Sequence, residues 1–326
     1  MGLEVLVLAA LGEAFLQNLR NALQRALSDR VSLAGAAYAR FVFAAPWALG
    51  LGLALGVAHG FPTPTPAFVG WALLGALCQI GATLILLQLF HLRNFAVGNT
   101  FAKTETVQAA LFGLVLLRDR IGLAAMIGTL VSFVGILLIS ATRGLVGGVR
   151  NRAAALGLAC GAAFAVSGVA YRGAALALDG PLGAIDRAAL TLAFVTVVQT
   201  MLMTWWLERR PRDVVRRVLQ EWRIAAPVGL AGMLASLLWF TAFALTSAAE
   251  VKAVGQVELL LIWFTAGHVF RERPSLRETT GLVLVALGVT VLVLSSRVGP
   301  VGTGGERYLY VSSRACSSRS ALCNAL

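Results

Sequence analysis

Two glutamates, Glu105 and Glu258, stand near the middle of long apolar stretches. An ionisable group near the centre of a bilayer costs about 2.5–3.5 kcal/mol on insertion scales, so it lines a cavity, pairs, or does work. A carboxylate in that position can bind a cationic or amino group, exchange a proton with a transported solute, or serve as a structural acid bonded to a neighbouring helix. Polar residues accompany both acids: Asn99 and Lys103 before the first, Lys252 and Gln256 before the second, each pair at an i, i+4 spacing that shares one helix face. Lys103 and Glu105 are about 200° apart on an ideal helix, so they do not face the same cavity unless the helix breaks between them. Lys252, close to a helix start, suits snorkelling to the interface.

A third group lies near the N-terminus. Glu13, Gln17, Arg20, Asn21 and Gln24 recur at spacings that place them all on one face opposite Leu and Ala. That pattern suits a helix lining a transport pathway, or an amphipathic helix lying along the interface. Arg40 can bind a substrate carboxylate, or neutralise Glu13 or Glu105 as an architectural pair, because a guanidinium fork matches carboxylate geometry and stays charged. Trp239 and Phe240, with Trp263 and Phe264, offer rings that either stack on a substrate or pack. His59, His91 and His268 show neither HExxH nor Cys/His ligand spacing, no GxxxxGK[ST] loop occurs, and no nucleophile stands at a recognisable spacing from a base. The expectation is therefore no enzyme, no metal and no cofactor.

The elements that must position these residues are membrane helices. The 326 residues are 58% hydrophobic and 13% charged, with a mean hydropathy of +0.81, against about 25% charged in an average soluble domain. A span needs about 20 apolar residues, and such stretches follow one another at 3–25, 33–58, 68–90, 95–117, 121–141, 153–171, 188–207, 224–247, 249–270 and 277–295. Pro62, Pro64 and Pro66, Gly147 and Gly148, and Gly180 and Pro181 punctuate the breaks.

The net charge of +12 sits mostly on arginines between spans, which makes anionic membrane lipid, not nucleic acid, the partner of this charge. Arg209 to Arg223 reads as a basic interfacial segment. Lys and Arg concentrate in the connections after odd-numbered spans, which by the positive-inside rule places both termini outside.

The two halves repeat. At an offset of 153 residues Arg118-Asp119-Arg120 falls on Arg271-Glu272-Arg273, Gly128 on Gly281, Gly135 on Gly288, and Glu105 on Glu258. Five spans per half is an odd number, so the second half enters the membrane inverted, the arrangement in which secondary transporters place a site at the repeat interface. The fold class expected is an all-α membrane protein of about ten transmembrane helices in two inverted five-helix repeats, 1–145 and 146–295, followed by a disordered tail at 296–326.

The segments TETVQAALFGLVLLRDRIGLAAMIGTLVSFVGILLIS and VELLLIWFTAGHVFRERPSLRETTGLVLVALGVTVLVL resemble the closing part of the EamA domain of the drug/metabolite transporter superfamily. YARFVFAAPWAL, from Tyr38 to Leu49, is similar to that family's second-helix pattern around an arginine. The resemblance implies helices around a central cavity, alternating access, and transport of a small-molecule substrate such as an amino acid or amine across the bacterial inner membrane. It also implies Glu-Pro in the fourth and ninth helices, where Thr106 and Leu259 stand instead, and cytoplasmic termini, which the arginines oppose. The residues expected at the site are Glu105, Glu258, Lys103, Gln256, Asn99, Arg40, Glu13, Gln17 and Trp239, with proton coupling open. Organic-cation export is the alternative that the two acids favour and Lys103, Arg20 and Arg40 oppose. A non-transporting membrane assembly protein is the alternative from another class.

Overall fold

The computed structural model describes residues 3–92, 105–117, 123–141, 152–209 and 213–245, with further single positions and short runs between 248 and 291. Among the described residues every regular element is a helix. The chain runs through α1 (Leu3–Ser28), α2 (Leu33–Val42), α3 (Ala45–His59) and α4 (Pro66–Leu92). After these come α5 (Glu105–Phe112), which continues into a π-helical turn at Gly113–Leu117, and α6 (Leu123–Ala141). The second half holds α7 (Arg152–Leu176), α8 (Ala184–Glu208), the short α9 (Val214–Gln220) and α10 (Trp222–Leu245).

Five stretches are long and apolar enough to cross a membrane: Leu33–His59, Pro66–His91, Ala155–Leu176, Ala184–Glu208 and Trp222–Leu245. α1 is not among them, because its one polar face lowers its hydropathy. Shorter apolar helices occur at Glu105–Leu117, Met126–Gly135 and Thr279–Gly288. The expected ninth span and the tail lie outside the described residues, apart from isolated positions in the former.

The distribution of side chains is inside-out relative to a water-soluble bundle. Val57 is 79% exposed and Leu77, Val115, Leu123 and Met201 are all more than half exposed, whereas Glu13, Arg20, Asn21, Gln24 and Arg40 are buried. A continuous apolar exterior around a polar interior is stable only where lipid, not water, is the surrounding solvent. The interior is also rich in Ala and Gly, as expected where helices associate by close packing in a medium as apolar as their side chains.

One expected span is broken. Residues 33–58 read as a single helix, but the structure divides them at Phe43 and Ala44. Pro46 has no N–H to donate to the Val42 carbonyl, and the chain tightens there, with Ala44 N–H bonding to the Phe41 carbonyl at 3.2 Å. α2 thereby stays wholly interior, while α3 turns to the periphery and buries only Ala48, Gly52 and Gly56 along one face. Gly52 lets α3 approach Ala193 and Ala189 of α8.

α4 packs chiefly on α7, α1 on α10, and α3 on α8. The backbone of α6 is met closely by Gly288: a Cβ there would lie 2.5 Å from the Gly128 carbonyl oxygen and 2.7 Å from Ser132 N. These glycines belong to the pattern that recurs between the halves.

α9 is the described part of the expected interfacial segment. Val214 and Val218 dock on Gly35 of α2, while Arg216 and Arg217 are exposed. The Arg209 guanidinium lies 3.8 Å from the Trp205 ring centroid, and Arg30 pairs with Glu221 at 3.5 Å.

At the other end Arg187 ties the α7–α8 connection. It donates to the carbonyls of Ala175 and Gly180 at 3.0 Å each, to Leu182 at 3.3 Å, and also to Leu178. Arg187→Ala strands these helix-end acceptors and is expected to lower unfolding free energy by about 1–2 kcal/mol. The midpoint of an SDS unfolding titration in mixed micelles checks this, and an unchanged midpoint would show that water replaces the guanidinium without loss.

Candidate functional site

Two apolar clusters lie toward the two ends of the bundle. One contains Leu27, Tyr38, Leu87, Phe90, Met203 and Leu207, the other Ala44, Phe68, Ala72, Leu192, Val195 and Phe240. Between them the packed side chains change character on α4 and α8 and become small on α10. On α4, Gln79 and Thr83 separate Ala76 from Leu86; on α8, Gln199 separates Val195 from Met203; on α10, Gly232 follows Val228. The result is a polar layer at mid-height.

Gln79, at the midpoint of α4, organises one side of this layer. Its Oε1 accepts from Tyr171 Oη–H of α7 at 2.7 Å and from Gln199 Nε2–H of α8 at 2.7 Å. Tyr171 Oη also lies 2.9 Å from the Gly75 carbonyl, and Gln199 Nε2 lies 3.3 Å from Tyr171 Oη. One turn along α4, Thr83 donates to the Gln79 carbonyl at 2.8 Å and accepts from Arg40 Nη1–H of α2 at 3.1 Å. Three spans and the broken helix are thus joined through a single amide and a single hydroxyl. A buried network with its partners in place fixes helix register.

α1 supplies the other side. Its exposed residues Phe15 and Leu19 lie opposite Glu13, Gln17, Arg20, Asn21 and Gln24, so its polar face points inward. A helix lying along the interface would turn that face to water, whereas here it is buried. Arg20 donates through Nε and Nη2 to Asn21 Oδ1 at 3.3 and 2.8 Å, and Gln24 Nε2 donates to the Ala36 carbonyl at 3.0 Å. The stems of Arg20 and Arg40 converge over Gly232, where a Cβ would stand 3.2 Å from Arg20 Cδ and 3.4 Å from Arg40 Cγ.

On α4 the exposed large apolar residues are Leu73, Leu74 and Leu77; Gln79 is about 200° from Leu77, bonded inward, and still partly exposed. Gln17 stands in the same relation to Phe15 on α1.

Of the residues expected at the site, Arg40, Glu13 and Gln17 are brought to this layer or to the helix face leading from it. Glu105 is 4% exposed and is the first described residue of α5, which packs on α7 with Gln108 Nε2 3.4 Å from the Leu158 carbonyl. Trp239 stacks on Phe243 at 5.4 Å between centroids and closes over Gly255, within the apolar cluster. Glu258, Lys103, Gln256 and Asn99 lie outside the described residues. Among the described residues no group of His, Cys, Asp and Glu could hold a metal ion.

Gln79, Thr83, Tyr171 and Gln199 are absent from the expectation. The signal available was Gln79 and Thr83 at i and i+4 in an otherwise apolar span. Tyr171 and Gln199 each stand as one polar group per helix and carry no periodicity.

Residues 151–294 match the EamA-like transporter family. That similarity, with the five stretches long and apolar enough to cross a membrane, indicates a multi-pass membrane protein. A crystal structure of a protein shares the fold at a TM-score of 0.60 and 17% sequence identity, covering 90% of this chain and 97% of that one. Comparison with curated proteins gives no match.

Proposed function

We infer that this protein, similar over residues 151–294 to the EamA-like transporter family, is a secondary transporter that exports a small polar or amphipathic metabolite, such as an amino acid or amine, across the bacterial inner membrane. The observation that carries this reading is the polar layer at mid-height, closed above and below by apolar clusters and bordered by the accessible Gln17 and Gln79. In this reading the halves 1–145 and 146–295 are inverted five-helix repeats of a ten-helix bundle and rock about that layer. Glu105 and Glu258 act there as coupling or binding carboxylates, with Lys103, Gln256, Asn99, Arg40, Glu13 and Gln17 lining the path. Trp239 closes it on one side. The organic-cation alternative is disfavoured by two buried guanidiniums side by side in the same layer.

The test is the composition of the medium. Cells overproducing the protein should accumulate one or a few metabolites outside relative to a vector control, measured by mass spectrometry. Glu105→Gln, at equal membrane abundance, should reduce that excess about tenfold or more, because a carboxylate in the pathway is replaced by a neutral isostere. Identical media from wild-type and vector cells would sink the export reading.

A further inference from the structure

We propose that Arg40 is an oxyanion subsite, so that the molecule carried bears a carboxylate or phosphate group. The proposal rests on the transporter reading and names the substrate class of that same layer.

Arg40 is 5% exposed, and among the described residues its side-chain hydrogen bond goes to Thr83 Oγ1, one of five N–H donors used. The groups that act on it electrostatically there are Arg20, of like charge, and the Tyr171 phenol. Among the described residues no carboxylate forms an ion pair with Arg40. A guanidinium removed from water costs several kcal/mol unless an opposite charge and further hydrogen bonds offset it, and a second guanidinium beside it raises that cost. An anion arriving in the layer would supply both.

The surroundings suit a small oxyanion. Beside Arg40, Arg20 donates to the Asn21 amide, and the stems of the two arginines converge. Gly232 keeps clear the volume where their stems meet. The two inward-facing accessible amides flank them: Gln17 lies one turn from Arg20 and Asn21, and Gln79 one turn from Thr83. The planar fork of Arg40 matches the two oxygens of a carboxylate, or two of a phosphate, in a bidentate bond. Neutral amides beside it can bind the remainder of an amino or hydroxy acid.

The test uses the purified full chain in detergent micelles, with thermal stability read against succinate, glutamate, leucine, glycerol 3-phosphate and tetraethylammonium. A ligand bound by the folded state raises the melting temperature in a saturable manner. A carboxylate or the phosphate ester should do so, and which of them does assigns the oxyanion. Arg40→Gln should weaken that binding about tenfold or more, as one charge-assisted pair is lost, and Arg40→Lys should recover part of it. Gly232→Ala keeps both charges but displaces the stems by a few tenths of an ångström; it should weaken binding several-fold and serves if Arg40→Gln does not fold. Stabilisation by tetraethylammonium alone, an anion response unchanged in the variants, or silence across the panel from folded protein would each overturn the subsite. The first of these leaves the export reading standing. Anion binding without any metabolite excess in the medium would do the reverse.

Discussion

Gly229→Val is expected to lower the unfolding free energy by about 3 kcal/mol, the upper part of the range for overpacking a tight interior. Gly229 lies on α10 where it meets the break between α2 and α3. A Cβ at this position would stand 2.5 Å from the carbonyl carbon of Phe43 and 2.8 Å from Ala44 N, as well as against Phe43 Cβ. Those atoms are backbone at the turn imposed by Pro46, so they cannot rotate away as a side-chain tip would. The three segments must separate instead, and with them the stems of Arg20 and Arg40 seated on Gly232, one turn further along the same helix.

Gly70→Val on α4 provides the comparison, since nothing lies within 4 Å of a Cβ there. It should be neutral or slightly stabilising, because Gly in a helix interior is less favourable than most residues by up to about 1 kcal/mol. SDS unfolding midpoints of the two variants should therefore move apart. Equal midpoints would mean that α10 and the α2–α3 break do not meet closely in the membrane.

Gln79→Glu is expected to leave the fold intact and reduce export about tenfold or more. Gln79 Oε1 acts as an acceptor toward both Tyr171 and Gln199, and a carboxylate oxygen accepts the same two bonds without a change of shape. The change is one of charge. Gln79 and Thr83 occupy neighbouring turns, and Thr83 holds Arg40. A carboxylate about 6 Å from the guanidinium attracts it by about 3 kcal/mol at an effective dielectric of 20. It would compete with an incoming anion for Arg40.

Stability within about 1 kcal/mol of wild type, together with loss of metabolite from the medium, is the expected combination. Undiminished export would show that Arg40 needs no free valence for the transported molecule. A large loss of stability would assign the Gln79 amide a donor role that its acceptor bonds do not reveal.

How much of this was legible beforehand differs from element to element. The stretches 68–90, 188–207 and 224–247 lie within a few residues of Pro66–Leu92, Ala184–Glu208 and Trp222–Leu245, because twenty consecutive apolar residues have few other uses. The inward face of α1 was legible for a different reason: five polar residues at helical spacing define a direction, and Phe15 and Leu19 define its opposite.

The break after Val42 was hidden, since Pro46 sits in an apolar run and its cost appears only as a missing bond to a particular carbonyl. The Gln79–Tyr171–Gln199 contact was hidden more deeply. It joins three helices through one residue each, and only the packing of α4 on α7 and α8 brings those residues together. Arg40 was noticed for its charge, but the neighbour that gives it meaning, Arg20, belongs to another helix and reaches it across Gly232.

The inward face of α1 has a consequence for biogenesis. α1 leaves the ribosome well before α10, and it carries Glu13, Arg20 and Arg25 among its amides. Its main packing partner is α10, and more than half of the chain lies between Ser28 and Trp222. Until α10 has been synthesised, the polar face of α1 lacks the surface that encloses it. α1 therefore has to wait, at the translocon or at the bilayer surface, while the intervening helices insert, and the polar layer is assembled late, when α10 closes over α1.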